Sequence, residues 1–159
     1  MQIERIKIGG IIKNCDLAKI GIMSIPDRPG VAGAVLGALG AKGVNCPFIV
    51  HTIDLHSLDS IVVCVAREDL ADALEALISV RDTVGAEEVV PEREVGMVSI
   101  FGPHFGERPG IAGVMFSALA SAGVNILAIS TSISSVSCII HEFDMDEAVE
   151  ALCEAFELP

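Results

Sequence analysis

The hexapeptide Arg28-Pro29-Gly30-Val31-Ala32-Gly33 returns eighty positions later as Arg108-Pro109-Gly110-Ile111-Ala112-Gly113, and this repeat constrains the fold more than any other feature. The same offset pairs Ala38-Leu39 with Ala118-Leu119, Gly43-Val44-Asn45 with Gly123-Val124-Asn125, and Ile49 with Ile129. Farther on, Ala73-Leu74-Glu75-Ala76-Leu77 matches Ala148-Val149-Glu150-Ala151-Leu152 at an offset of seventy-five, so the second copy is five residues shorter between its middle strands. A chain of 159 residues built this way is two small modules of one fold.

Each copy reads in the same order. Residues 17–25 and 95–101 are short β-rich runs ended by Pro or Gly, the first strands. After the Arg-Pro-Gly turn, Ala32, Val35, Leu36 and Leu39 recur at helical spacing, as do Ala112, Met115, Phe116 and Leu119. Gly43 and Gly123 stand where those helices stop, in the left-handed position that closes a helix. Strand pairs are expected over 44–55 with 61–66 and over 124–132 with 136–141. The second helices place Leu70, Ala73, Leu74, Leu77 and Ile78 on one face, and Met145, Ala148, Val149, Leu152 and Phe156 on the other copy's. Their first turns are acidic, the sign the helix dipole favours. Residues 87–91 close the first module as a fourth strand, so the order is β-α-β-β-α-β. The expected fold is α+β: two ferredoxin-like modules, antiparallel sheets with both helices on one face. The second copy lacks a last strand, and 3–12 is an unassigned strand candidate that would fill it. The expected division is an N-terminal strand at 1–12, a first module at 13–92 and a second at 93–159.

Composition excludes several partners. Ten basic residues against 22 acidic give a net charge of −12, and there is no Trp or Tyr. Nothing here offers the basic stripe or stacking rings that hold nucleic acid, and an anionic membrane surface is equally unsuited. Residues 109–141 contain no Asp, Glu, Lys or Arg, a run long enough to resemble a membrane span. Gly123-Val124-Asn125 interrupts it, however, and Ser130-Thr131-Ser132-Ile133-Ser134-Ser135 is too polar for lipid. The first residues carry no apolar signal core, so the cytoplasm is the expected compartment. Cys15, Cys46, Cys64, Cys138 and Cys153 form no C-x-x-C pair and no zinc spacing with histidine, and they read as reduced, small core residues. No metal or cofactor is expected. Cys64 and Cys138 fall inside strands with no electropositive neighbour to activate a thiol, which argues against a cysteine enzyme.

The chemistry concentrates in Ile25-Pro26-Asp27-Arg28-Pro29-Gly30-Val31-Ala32, a turn that ends a strand and opens a helix. Pro29 is pre-set for a first helical turn, and Gly30 lets a ligand approach the backbone. The N–H groups of Val31, Ala32 and Gly33 then form a carboxylate seat at the positive end of the helix dipole. Asp27 beside them can accept an α-ammonium, and the pair of seats suits a free amino acid. On pattern alone, an equal reading is that Pro-Gly makes the turn and Asp27 caps the helix.

The run 25–52 resembles the amino-acid-sensing ACT domain. The segments Val98-Ser99-Ile100, Arg108-Pro109-Gly110, Gly123-Val124-Asn125-Ile126 and Ile129-Ser130-Thr131-Ser132, with 148–158, resemble the second ACT module of aspartokinases. That resemblance covers the chain from about residue 8 onward. It implies a tandem regulatory region without its kinase domain: a separate regulatory subunit or a free-standing relative. It implies an effector, usually lysine or threonine, held between the first module of one chain and the second module of a partner chain. Position by position, it implies Asp27 for the effector's polar groups, the backbone of Pro29, Gly30, Val31 and Ala32 for its carboxylate, and Asn125 with Ile126 from across the interface. His51 stands where the family commonly has Gln, and Ile133 where an acidic residue is usual. The implied protein is a non-catalytic homodimer that feeds an amino-acid signal to a kinase catalytic subunit.

Other features admit plainer readings. Gly33, Gly37 and Gly40 line one side of the first helix, either packing within the module or seating another helix. His56, His104 and His141 read as loop or strand-end residues. Glu107 mirrors Asp27, which leaves room for a second, degenerate site. One rival function is a sensor acting on a transcriptional or transport partner. Another is an acylphosphatase-like enzyme on the same scaffold, using Arg28 as phosphate cradle with Asn45, although the turn lacks a glycine-rich phosphate loop.

Overall fold

A computed structural model describes residues 4–159, so the start of the 3–12 strand candidate, Ile3, lies outside the described residues. In chain order the elements are β1 Ile6–Lys7, β2 Gly10–Pro26, α1 Val31–Ala41, β3 Phe48–Ile53, β4 Leu58–Ala66, α2 Leu70–Val84, β5 Glu88–Phe101, α3 Ile111–Ser121, β6 Ala128–Thr131, β7 Ser135–His141, α4 Met145–Ala155 and β8 Phe156–Glu157. They are α+β and divide into two units. One is Asp16–Glu94; the other joins the residues up to Cys15 with Val95–Pro159.

In the Asp16–Glu94 unit the sheet order is β3-β4-β2-β5, with β4 antiparallel to both β2 and β3. β5 runs through Glu92, whose carboxylate lies 3.3 Å from the Lys19 ammonium of β2. Alternation along β2 and β4 sends Ala18, Ile20 and Ile22 with Ile61, Val63 and Val65 to one face, where they meet Val31, Val35 and Leu39 of α1 and Leu70, Ala73 and Leu77 of α2. β2 holds an extra residue between Ile22 and Ile25, at Ser24 with φ 55°, and this bulge brings Ile25 into the core just before the turn.

The second unit repeats the pattern in the order β6-β7-β5 with the start of β2 beside β5. The strand expected to be missing from the second copy is present as the short β8, and the 3–12 candidate is divided between β1 and the start of β2. Gly9 N–H donates to Phe101 O at 2.6 Å, and Ile8, 5% exposed, joins the core of Val98, Ile100, Met115, Leu119, Cys138, Ile140, Leu152 and Phe156. β1 pairs in parallel with β8, Ile6 opposite Phe156.

Several boundaries differ from the sequence expectation. The strand expected over 44–55 is shorter, because Val44 closes α1 instead, its N–H donating to Leu39 O at 3.1 Å; β6 is shortened likewise, with Val124 N–H donating to Leu119 O at 2.9 Å. β4 starts at Leu58, ahead of the expected residue 61. There Asp54 Oδ1 accepts the N–H groups of His56 and Leu58 at 2.7 and 3.1 Å and tightens the hairpin. Ile78 is 61% exposed; Ala76 takes the buried place, since the α2 face turns toward Ala73, Leu77 and Val84. Phe156 is fully buried but extended, with φ −116° and ψ 155°, not helical. Gly33, Gly37 and Gly40 are exposed, and a Cβ added at any of them meets no atom within 4 Å, so they are not packed within the unit. No helix among the described residues is long and apolar enough to cross a membrane; the uncharged run 109–141 is broken into α3, β6 and β7.

Candidate functional site

Pro29-Gly30 converts the end of β2 into the start of α1. Gly30 is the N-cap residue at φ 98°, and Gly110 repeats the geometry at 89° before α3. The Gly30 carbonyl accepts the Ala34 N–H at 2.9 Å, the first bond of α1, so the three amides of Val31, Ala32 and Gly33 precede the helical ladder. No side chain caps α1. The reading in which Asp27 caps the helix is therefore corrected. Asp27 is exposed, its own N–H donates to Ser57 O at 3.1 Å, and its carboxylate is not engaged by the described residues. A Cβ at Gly30 meets nothing within 4 Å, so only the positive φ selects glycine. Gly30→Ala is expected to cost about 1 kcal/mol, read as a lowered Tm.

Arg28 serves the scaffold. Its Nη2 donates to Thr83 O at 2.5 Å, placing a guanidinium on the last turn of α2, where the dipole favours a cation. It is thus turned to a helix end. Asn45 is exposed beyond the α1 cap.

His51 lies on β3 opposite Ile61 of β4. Its Nε2 is 3.0 Å from Asp59 Oδ2, and Asp59 is 1% exposed. Asp59 in turn stands opposite Ile25, at the end of β2 that enters the turn. The turn residues, His51 and Asp59 thus belong to one end of one sheet. Asp59 escaped the sequence reading because its strand was expected to begin later. The available signal was parity: two residues before Ile61, it shares the inward face.

Asn125 and Ile126 follow the α3 cap in the other unit, Asn125 exposed and Ile126 packed at the edge of its core. There the turn preceding α3 borders a cavity of about 190 Å³ lined by Arg5, Lys7, His104, Phe105 and Arg108. Glu107, the counterpart of Asp27, lies 3.3 Å from His104 Nδ1. His56 lies in a turn and His141 ends β7, stacked on Phe143 at 5.1 Å.

Two βαββαβ units, each with an uncapped glycine-entered first helix, define a tandem ACT-domain protein; the ACT domain family profile matches residues 98–156. Over 157 residues the chain is 38% identical to the aspartokinase of Pseudomonas aeruginosa, covering 99% of this chain and 38% of that protein. The regulatory subunit of aspartate kinase from Thermus thermophilus, in its ligand-free crystal form, superposes with a TM-score of 0.87 at 33% identity, over 94% of this chain and 99% of that one. A crystal structure of aspartokinase alpha and beta subunits matches at a TM-score of 0.86 and 32% identity, over 93% of this chain and 97% of that one. The chain belongs to the aspartokinase regulatory family of tandem ACT proteins. It spans 38% of the length of the P. aeruginosa relative.

Proposed function

We propose that the chain is a non-catalytic, amino-acid-binding regulator in aspartokinase feedback. The observation that carries this reading is the turn itself: three amides at the uncapped start of α1 beside an unengaged Asp27 carboxylate. The amides take the effector's carboxylate, Asp27 its ammonium, and His51 its side chain. Asn125 and Ile126 of a second copy close the site, so the working species is a homodimer. The edge strands β3 and β6, carrying exposed Ile49, Ile53 and Ile129, suit self-association. A kinase catalytic subunit is the partner that reads the signal, in keeping with the alpha and beta subunits of the related structure. Lysine and threonine are the first effectors to test. An effector that prefers one arrangement of the assembly shifts it by its differential affinity, about 1–3 kcal/mol in typical allosteric systems.

The test is a thermal-shift and calorimetry screen of the twenty amino acids. An effector at a hundredfold over its Kd adds about 2.7 kcal/mol, a rise of roughly 5–10 °C for a chain of this size. Asp27→Ala removes a charge-assisted hydrogen bond and is expected to weaken binding by about 10- to 100-fold with an unchanged unliganded Tm. Silence across the panel, or full affinity in the Asp27 variant, refutes the assignment.

A further inference from the structure

The β3–β4 hairpin carries a buried carboxylate that the packing of its unit does not require. Asp59 shares the inward face of β4 with Ile61, Val63 and Val65, all core residues. Its Oδ2 is 3.0 Å from His51 Nε2, while Oδ1 is buried with no hydrogen-bond partner among the described residues. A carboxylate held this way destabilises a fold relative to an apolar side chain of the same size, so its presence calls for a use. Its position supplies one. Asp59 stands opposite Ile25, and Ser57, two residues before it, accepts the Asp27 N–H at 3.1 Å, so the pair lies at the end of the sheet that carries the effector turn. The His51 side chain is 35% exposed. With Nε2 committed to Asp59, Nδ1 is the ring nitrogen left for a ligand.

A carboxylate only accepts hydrogen bonds, and a neutral imidazole carries one donor and one acceptor. We propose that Asp59 is a positioning residue of the effector site, holding His51 with its proton on Nε2 and Nδ1 as acceptor, so that the site selects amino acids whose side chain donates a hydrogen bond. Hydroxyl and ammonium side chains satisfy Nδ1. Methyl isosteres leave it unpaired, and acidic side chains meet it acceptor to acceptor. The ligand side of this inference rests on the effector reading above; the tautomer of His51 does not.

Two measurements on the full chain test it. In the neutral imidazole, the ¹⁵N-resolved spectrum should show the Nε2–H tautomer, and Asp59→Asn, whose amide can donate to Nε2, should shift it toward Nδ1–H. Calorimetry then compares threonine with valine and lysine with norleucine. The polar member that binds should be preferred by at least about tenfold, as it should be over its acidic counterpart, aspartate for threonine or glutamate for lysine; in Asp59→Asn, where Nδ1–H donates, the preference over the acidic counterpart should fall to within about threefold. An Nδ1–H tautomer in the unmodified protein, equal binding of a methyl isostere, or an undiminished preference over the acidic counterpart in Asp59→Asn overturns the proposal. If an Asp59 variant fails to fold, His51→Ala reads the same preference, and its retention there is equally fatal. Amino-acid binding that depends on Asp27 but not on Asp59 removes the dyad and leaves the effector reading standing. The expected tautomer with no amino acid bound by the unmodified chain removes that reading and the selectivity with it.

Discussion

Deleting the chain through Ile12 is expected to unfold the unit built on Val95–Pro159 while the core of Asp16–Glu94 survives. The deleted segment carries Ile8, which is 5% exposed, and Ile6 and Ile11, which pack on the same core. It also carries backbone bonds that no other segment replaces. Ile8 N–H donates to Glu157 O at 3.0 Å and Gly9 N–H to Phe101 O at 2.6 Å, while Arg5 reaches the carbonyls of Cys153 and Glu154 at the end of α4. Phe156, fully buried and paired with Ile6, loses its cover. Removing one fully buried aliphatic side chain costs about 2–5 kcal/mol, and here a strand goes with it, which matches the whole stability of a small domain, about 5–15 kcal/mol. Hydrogen exchange should show protection lost across α3, β7 and α4 and kept across α1, β4 and α2. A truncated protein that melts like the intact one contradicts this role for the N-terminal segment.

Raising the pH from about 9 toward about 12 is expected to unfold the protein through two thiols. Cys64 in β4 and Cys138 in β7 are fully buried, and desolvation pushes each thiol from 9.0 up to about 12, against a smaller lowering at Cys64 from the Lys19 ammonium. The folded pKa is raised, so the stabilising contribution is whole below the unfolded thiol's pKa and is lost as pH rises through the folded one. Above about pH 9 the unfolded chain ionises both thiols while the folded chain keeps its protons. Stability then falls by about 3 kcal/mol per pH unit for the two together. Urea titrations at stepped pH should show this slope, and Cys64→Ala with Cys138→Ala should flatten it while lowering stability at neutral pH. An equal alkaline slope in the double variant places the loss elsewhere. In the intact protein at neutral pH, a thiol reagent should modify exposed Cys153 first and reach Cys64 and Cys138 only on unfolding.

Much of the candidate site was legible in the linear chain because its parts are local. A Pro-Gly pair after a β-rich run, followed by apolar residues at helical spacing, specifies the turn from Pro26 to Gly30 and the open amides of α1. The same features eighty residues on specify α3. Whether Asp27 caps α1 was undecided at that level, since both readings use one side chain at one position; the structure excludes the cap. The His51–Asp59 pair was not legible. It depends on where the hairpin turns, and Asp54, by gathering the N–H groups of His56 and Leu58, sets the register that puts Asp59 on the inward face beside His51. One residue of slip would have sent it to the other face.

The sequence by itself determined that the chain folds twice on the same β-α-β-β-α plan, which faces of α1, α3 and α4 are buried, and where a helix opens on a Pro-Gly turn, because periodicity and turn residues act over a few neighbours. Only the tertiary structure decided that the residues up to Cys15 belong with Val95–Pro159, that Ile78 stays outside while Phe156 leaves its helix to be buried, and that a carboxylate on β4 holds a histidine on β3. Those outcomes are settled by strand register and by competition for core volume among residues distant in sequence, and no local pattern records either.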